Sequence, residues 1–325
     1  MNGILSHRAA GAHPVDLLVA WASSRSKLFS RGWGDEKLLT ELSGCGSYSD
    51  APGLISINWD APSKRGRLVK RDGAFASPLA ALPEEARTVH LRSLTTEGND
   101  AACVMFAASR DEGYQVRERV FGPLAEQGID LYLLENPFYG RRRAAGGPSF
   151  ITVSDQGLMA LGMVLEGRGL LEHLRSRYQK LAIAGYSMGG HMAAITAAVS
   201  PFPVACAALA TGASASSIYT RGLLSWSVDL DSLGGGSTQH AAARRRLQEL
   251  FDGADVTCHP APIRADAAVI AGCTRDGYVL RSETERLHKH WPGSTLRWVA
   301  AGHFSALLTS RRALCDCVAE AVQKL

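Results

Sequence analysis

Short apolar runs recur along the sequence with helical patterns between them, and this alternation constrains the fold more than any other feature. The runs cover residues 89–91, 102–106, 129–134, 180–184, 204–209, 267–271 and 295–299. The helical patterns cover 116–127, 155–178, 188–199, 282–290 and 304–324. Most runs are continuously apolar, which is typical of parallel strands covered on both faces. The alternation predicts an α/β fold, with a mostly parallel central sheet flanked by helices and joined by right-handed crossovers.

Two segments depart from this alternation. Residues 1–66 have no clear strand pattern, and the spacing of Leu17, Leu18 and Trp21 is helical. We therefore predict an N-terminal helical extension over 1–66 that packs on a main domain at 67–325. At about 212–262 the main domain has a long stretch without an apparent strand, and a stretch of that length is typical of a functional or added subdomain. We interpret it as a cap or lid insertion.

Charge and hydropathy exclude some classes of partner. The 325 residues include 35 Lys and Arg and 31 Asp and Glu, for a formal net charge of +4. That excess is too small to predict a nucleic-acid-binding protein. No window approaches 18 consecutive apolar residues, so we expect no transmembrane segment, which leaves peripheral membrane contact open. The sequence does not predict an oligomeric state.

The seven cysteines favour a reducing, intracellular compartment. Cys103, Cys206 and Cys273 lie within apolar runs, so we expect buried free thiols. Cys315 and Cys317 form the only close pair, and no partner ligands follow at zinc spacing. We therefore predict neither a metal site nor a cofactor.

The N-terminal 34 residues are basic, and two interpretations remain open. Arg8, Arg25, Lys27 and Arg31 are opposed by Asp16 alone. This composition resembles an organelle transit segment, so either the cytoplasm or an organelle such as the mitochondrion fits the sequence. The alternative interpretation is a helix on the protein surface.

A G-x-S-x-G pentapeptide at 185–189 predicts a nucleophile. It follows the apolar run at 180–184 and precedes a helical pattern of small residues. A strand that turns sharply into a helix exposes the serine hydroxyl at the carboxyl edge of the sheet. We therefore predict Ser187 as a nucleophile and the backbone N–H of Met188 as an oxyanion donor. A glycine-rich turn without chemistry is the alternative.

A base and an acid follow the serine in the order that this type of fold uses. His303 comes directly after the last apolar run, and Asp276 comes after the preceding one. Both loops then emerge at the edge that carries Ser187. We predict His303 as the general base and Asp276 as the group that orients it. His173, His191, His288 and His290 are poorer candidates.

The second oxyanion donor is predicted in the loop after the run at 102–106, at the backbone N–H of Ala108 or Ser109. A further loop on the same edge carries the basic run at 141–143. Two interpretations of this run remain open: the arginines bind an anionic group such as a phospholipid head, or they form a solvated basic loop.

Several scattered motifs resemble the alpha/beta hydrolase domain-containing protein 18 family. They are KLFSRGWG at 27–34, ENPFYG at 135–140, the segment 185–193, WPG at 291–293 and GHFSA at 302–306. The resemblance implies an α/β-hydrolase fold with a triad of Ser187, Asp276 and His303. Two features depart from the family. The loop at 107–110 reads AASR where the family tends toward glycines, and the segment before Asp276 is shorter than in animal members.

These patterns predict a serine hydrolase that cleaves a carboxylic ester, either a small-molecule or a lipid ester, through an acyl-enzyme. Two alternatives stay open. One is a catalytically weak protein that keeps the fold for binding or scaffolding, and the other is an acyltransferase.

Overall fold

The computed structural model describes residues 11–42, 48, 52–143 and 151–325. Arg8 and Cys45, one of the seven cysteines, lie outside these residues. Within them, one mixed sheet contains ten strands in the order β1-β3-β4-β6-β5-β7-β8-β9-β10, with β2 paired to β3. The strands are β1 (Asn58–Trp59), β2 (Ser63–Arg65), β3 (Leu68–Ala76), β4 (Thr88–Thr96), β5 (Ala101–Phe106), β6 (Ile129–Leu134), β7 (Lys180–Tyr186), β8 (Ala205–Leu209), β9 (Ala268–Cys273) and β10 (Thr295–Val299).

Six neighbouring strands, from β6 to β10 in the sheet order, are parallel. Helices cover both faces of the sheet. They are α1 (Pro14–Ser23), α2 (Glu36–Leu42), α3 (Gln115–Phe121), α4 (Pro123–Glu126), α5 (Val153–Leu174), α6 (Met188–Ala198), α7 (Ser216–Thr220), α8 (Leu230–Gly234), α9 (His240–Asp252), α10 (Arg281–His290), α11 (Ser305–Thr309) and α12 (Arg311–Lys324). The predicted α/β fold is confirmed.

The continuous apolar character of the central strands follows from burial on both faces. Successive side chains of a strand point to opposite faces. Val104 and Phe106 of β5 therefore join the core that contains α5, whereas Cys103 and Met105 join the core that contains α12. Every residue of β5, β6, β8 and β9 is buried. Cys103, Cys206 and Cys273 are buried free thiols, as predicted.

The strands at one end of the sheet escaped prediction for a physical reason. β3 pairs with β4 over nine residues but is mostly half-buried and carries Lys70, Arg71 and Asp72. A strand near the sheet edge keeps one face partly in water, so it has no continuous apolar run. The predicted helix at 304–324 is also divided, since it breaks at Ser310 into α11 and α12.

Two segments lie over the carboxyl edge of the parallel strands. Residues 212–262 form short helices without a strand, as predicted. The N-terminal segment joins them through a bridge between Leu28 and Val228. Helix α1 leaves Leu18 and Trp21 exposed and buries Asp16 instead. The boundaries 1–66, 67–325 and 212–262 stay predictions.

Candidate active site

Ser187 lies at the sharp turn between β7 and α6. Its backbone has φ 56° and ψ −119°, a strained conformation for a residue with a Cβ. Glycine at 189 makes the turn fit, because a Cβ there would lie 2.8 Å from the carbonyl oxygens of Phe106 and Ala107. The turn is fixed by hydrogen bonds from Ser187 N to Leu209 O (2.8 Å) and from His191 N to Ser187 O (3.0 Å).

The three predicted side chains form one hydrogen-bonded row. His303 Nε2 is 2.9 Å from Ser187 Oγ, and His303 Nδ1 is 2.8 Å from Asp276 Oδ2. The other carboxylate oxygen of Asp276 accepts hydrogen bonds from the backbone N–H of Tyr278 and Val279 at 2.8 and 2.9 Å. With both oxygens engaged, Asp276 holds one orientation of the imidazole.

The surroundings of His303 change its pKa. Burial of the ring lowers the pKa, but the charge and hydrogen bond of Asp276 raise it, and so does the charge of Asp16. The raising effects prevail, so the pKa of His303 lies above its ordinary value of 6.5. The phenol of Tyr186 donates a hydrogen bond to the backbone carbonyl of His303, which helps to hold the backbone of that residue in place. The imidazole can accept the serine proton in its neutral form.

Backbone N–H groups on two elements lie beside Ser187. Met188 is the first residue of α6, where the N–H has no partner within the helix and the helix dipole is positive. Ala108 and Ser109 lie in the loop after β5, and Ser109 lines the same cavities as Ser187. The residues that carry the predicted oxyanion donors therefore line the cavities that Ser187 also lines. The donors themselves, Met188 and Ala108 or Ser109, stay predictions.

The loop after β5 is held by the ENPFYG segment, a role that was missed in the sequence. Asn136 Nδ2 donates to Ala107 O at 3.1 Å, and the Tyr139 hydroxyl accepts from Arg110 N at 3.2 Å. Arg110 has a φ of 66°, which turns the loop back. The signal was available, because 135–140 directly follows β6 and β6 pairs with β5.

The basic run at 141–143 forms internal contacts. Arg142 is fully buried and pairs with Glu166 at 2.6 and 2.8 Å. Arg143 pairs with Glu112 at 3.0 Å. The hypothesis that this run binds an anionic group is wrong for Arg142, whose guanidinium has no access to a ligand. The solvated-loop alternative is wrong for the same residue.

Other histidines form contacts outside the hydrogen-bonded row of Asp276, His303 and Ser187. His191 is buried, its Nδ1 lies 3.2 Å from Gly212 O, and burial lowers its pKa. His288 Nδ1 lies 2.9 Å from Ser294 Oγ, and His290 Nε2 lies 2.8 Å from His259 O. Among the residues that the structure describes, no group of three or more His, Cys, Asp and Glu side chains could hold a metal ion.

Two cavities meet at Ser187. The first, of about 90 Å³, lies toward α2, α5 and α9, and its lining includes Met188. The second, of about 240 Å³, lies toward α1 and α3, and its lining includes His303 and Arg110. Both are lined by Ser187, Ser109, Ile218 and Leu224.

No described helix is long and apolar enough to cross a membrane.

Comparison with known proteins gives one family and several similar folds. The family model described as alpha/beta hydrolase domain containing 18 matches residues 26–247 and 235–324. Acetyl xylan esterase 1 from Thermoanaerobacterium sp. JW/SL YS485 is similar with a TM-score of 0.58 at 12% identity, over 93% of this chain and 99% of that chain. Acetyl xylan esterase from Paenibacillus sp. R4 has a TM-score of 0.57 at 14% identity, over 90% and 98%. The PEG-bound cold-adapted esterase from an Arctic intertidal metagenomic library has a TM-score of 0.53 at 17% identity, over 82% and 99%.

Proposed function

The chain belongs to the alpha/beta hydrolase domain containing 18 family and has the fold of α/β hydrolases, and we propose that it is a serine hydrolase. Its proposed substrates are carboxylic esters. The predicted family resemblance is confirmed. The observation that carries the proposal is the row of hydrogen bonds from Asp276 through His303 to Ser187. The similar esterases support the fold, and the row supports the chemistry.

The reaction follows from the contacts of each group. His303 Nε2 takes the hydroxyl proton as Ser187 Oγ attacks the ester carbonyl, and Asp276 stabilises the imidazolium. The carbonyl oxygen becomes an oxyanion and accepts hydrogen bonds from Met188 N–H and from Ala108 or Ser109 N–H. One such donor contributes about 10²–10³ in turnover. The alcohol leaves with the proton from His303, and water then hydrolyses the acyl-enzyme.

The position of His303 orients the substrate. The leaving alcohol oxygen must lie close to His303 Nε2, because that atom protonates it. His303 lines the second cavity and is absent from the lining of the first. The alcohol therefore occupies the second cavity, and the acyl group extends into the first.

The chemistry of the first cavity favours an apolar acyl chain. Its described lining contains no Lys, Arg, Asp or Glu, and Leu42, Met192 and Phe251 are among its walls. The second cavity is also mostly apolar, with Phe121, Leu223 and Phe304 in its lining. The charged Asp111 and Arg117 of that lining pair with each other at 2.8 Å, so the cavity does not select a polar alcohol. We propose an ester of an apolar carboxylic acid as the substrate class, with a small-molecule or a lipid alcohol. Peripheral membrane contact and an intracellular location stay part of this proposal.

Steady-state and burst kinetics with p-nitrophenyl butyrate test the function. We expect turnover, a pre-steady-state release of p-nitrophenol, and loss of both in Ser187→Ala and His303→Ala, down to residual catalysis of about 10³–10⁴ over water. Absence of turnover in the wild type for acetate, butyrate and octanoate esters would contradict the proposal and favour a binding role. Transfer of the acyl group to an added alcohol in preference to water would indicate an acyltransferase.

A further inference from the structure

A buried carboxylate in the N-terminal helix contacts the loops that carry the base and the acid. Asp16, the one acidic residue of α1, is fully buried. Its Oδ2 accepts hydrogen bonds from Gly277 N (3.1 Å) and His303 N (2.8 Å), and its Oδ1 accepts one from Phe304 N (3.0 Å). Gly277 directly follows Asp276, so one side chain joins the loop after β9 to the loop after β10.

The backbone around Asp16 is shaped for this contact. His13 N donates to Arg275 O at 2.9 Å, which adds a main-chain link between α1 and the Asp276 loop. Glycine at 302 is required by the close approach, because a Cβ there would collide with the Cβ of His13 and lie 2.9 Å from Asp16 Oδ1. The start of α1 therefore fits against both loops with no room for a side chain between them.

We propose that Asp16 is a positioning residue for the reaction, which holds the loops of Asp276 and His303 in the register that their hydrogen bond needs. The inference rests on the proposed function. The two loops follow the neighbouring strands β9 and β10. The carboxylate accepts hydrogen bonds from the N–H of Gly277, which directly follows Asp276, and from the N–H of His303 itself. Without it, three N–H groups would lose their acceptor, and a displacement of about 1 Å in a base can reduce turnover about 10²-fold.

The charge of Asp16 has a second effect, which separates this role from a merely structural one. A negative charge near an imidazole favours its protonated form and raises its pKa. The described ionisable groups around His303 are Asp276, Asp16, Tyr186, Tyr278 and Cys273, and His13 packs against Gly302 beside it. Arg110 lies in the wall of the cavity that His303 lines. Burial raises the pKa of both phenols and of the thiol, to about 12 for Cys273, so these three groups carry no charge at neutral pH.

The test uses the full chain with Asp16→Asn, which keeps the size of the side chain and removes its charge. We expect kcat for p-nitrophenyl butyrate to fall about 10–100-fold with KM little changed, and the acid limb of the pH profile to move to lower pH. NMR titration of ¹⁵N-labelled histidines, with the His303 signal assigned by its loss in His303→Gln, should give a lower pKa for His303. Leu18→Ala is the matched control, since Leu18 lies on the same helix and is 64% exposed, and it should leave both quantities unchanged.

Different results would overturn different statements. A wild-type kcat and an unchanged pKa of His303 in Asp16→Asn, even with a lower melting temperature, would overturn the positioning role and leave the esterase proposal intact. If the wild type hydrolyses no ester, the esterase proposal fails, and the NMR pKa still decides the role of Asp16. If Asp16→Asn does not fold, Asp16→Glu keeps the charge but displaces it. We then expect the kcat of Asp16→Glu to fall while the acid limb of its pH profile stays at the wild-type pH. A kcat equal to that of the wild type would contradict the inference.

Discussion

At the scale of single residues, Ser187 is held in a conformation that opposes stability. A residue with a Cβ in such a region costs about 1–3 kcal/mol, and Ser187 has a positive φ of 56°. Glycine adopts this backbone without strain, at an entropy cost of about 0.5–1 kcal/mol. We expect Ser187→Gly to unfold about 2–4 °C above Ser187→Ala with both variants inactive. Calorimetry of the pair checks this, and a lower melting temperature for Ser187→Gly would mean that the turn is not strained.

The raised pKa of His303 predicts how activity depends on pH. The imidazole accepts the serine proton only when it is neutral, so activity falls as pH decreases through the pKa of His303. Because Asp276 and Asp16 raise this pKa above the ordinary 6.5, the acid limb of kcat/KM should have its midpoint above pH 6.5. Asp276→Asn should both lower the activity and move the midpoint downward. A wild-type midpoint well below 6.5 would show that burial outweighs the two carboxylates.

At the scale of elements, the loop after β5 depends on the ENPFYG segment after β6. The Tyr139 hydroxyl accepts the Arg110 N–H at 3.2 Å, and Ala108 and Ser109, one of which is the predicted second oxyanion donor, precede Arg110 directly. Tyr139→Phe leaves that N–H without its acceptor and loosens the loop, so we expect kcat to fall about 10-fold, less than the loss of a whole donor. Steady-state kinetics with a short ester check this expectation.

Tyr132→Phe is the matched control for that variant. Tyr132 is also buried, and its hydroxyl lies 2.8 Å from the Tyr178 hydroxyl, within the sheet and its covering helices rather than in the oxyanion loop. Each variant removes the hydroxyl of one buried tyrosine together with its hydrogen bonds, and should lose about 1–3 kcal/mol of stability. A similar fall of kcat in both would mean that Tyr139 acts through general stability alone.

At the scale of the whole molecule, the N-terminal segment, the core and residues 212–262 enclose two cavities around one serine. Ala160 of α5 lines the first cavity, and Ser23 at the end of α1 lines the second. We expect Ala160→Phe to fill the acyl side and to lower kcat/KM for octanoate esters about 10-fold or more relative to acetate esters. Ser23→Phe should instead discriminate between alcohols of different size. If Ser23→Phe lowers the preference for octanoate esters and Ala160→Phe does not, the acyl group would occupy the second cavity and the alcohol the first.

The burial of the strands explains which parts of the fold and of the candidate site could be predicted from the sequence. Strands buried on both faces have continuous apolar runs, so β5, β6, β7, β8 and β9 could be predicted from those runs. The strands β1, β2 and β3 at one end of the sheet are partly exposed to water and have no such signal. Ser187, Asp276 and His303 were each proposed because they directly follow such runs, and the structure brings them into one row.

The rest of the site depends on contacts between distant segments. Asp16 has the sequence context of an ordinary first-turn acid in a helix, and nothing local indicates that its partners are His303 and Phe304, almost the whole chain away. Arg142 has the context of a solvated basic loop, but it pairs with Glu166 in the interior. Such pairings are set by the packing of whole elements, which local patterns do not encode.

Labelling with a fluorophosphonate, followed by mass spectrometry of the digested protein, tests the central claim most directly. The reagent bonds covalently to a serine oxygen that a base activates and that oxyanion donors surround. We predict one adduct, on the peptide that contains Ser187, which is lost in Ser187→Ala and strongly slowed in His303→Ala. Leu18→Ala should be labelled like the wild type. An unlabelled wild-type protein, or an adduct on another serine that persists in Ser187→Ala, would contradict the account.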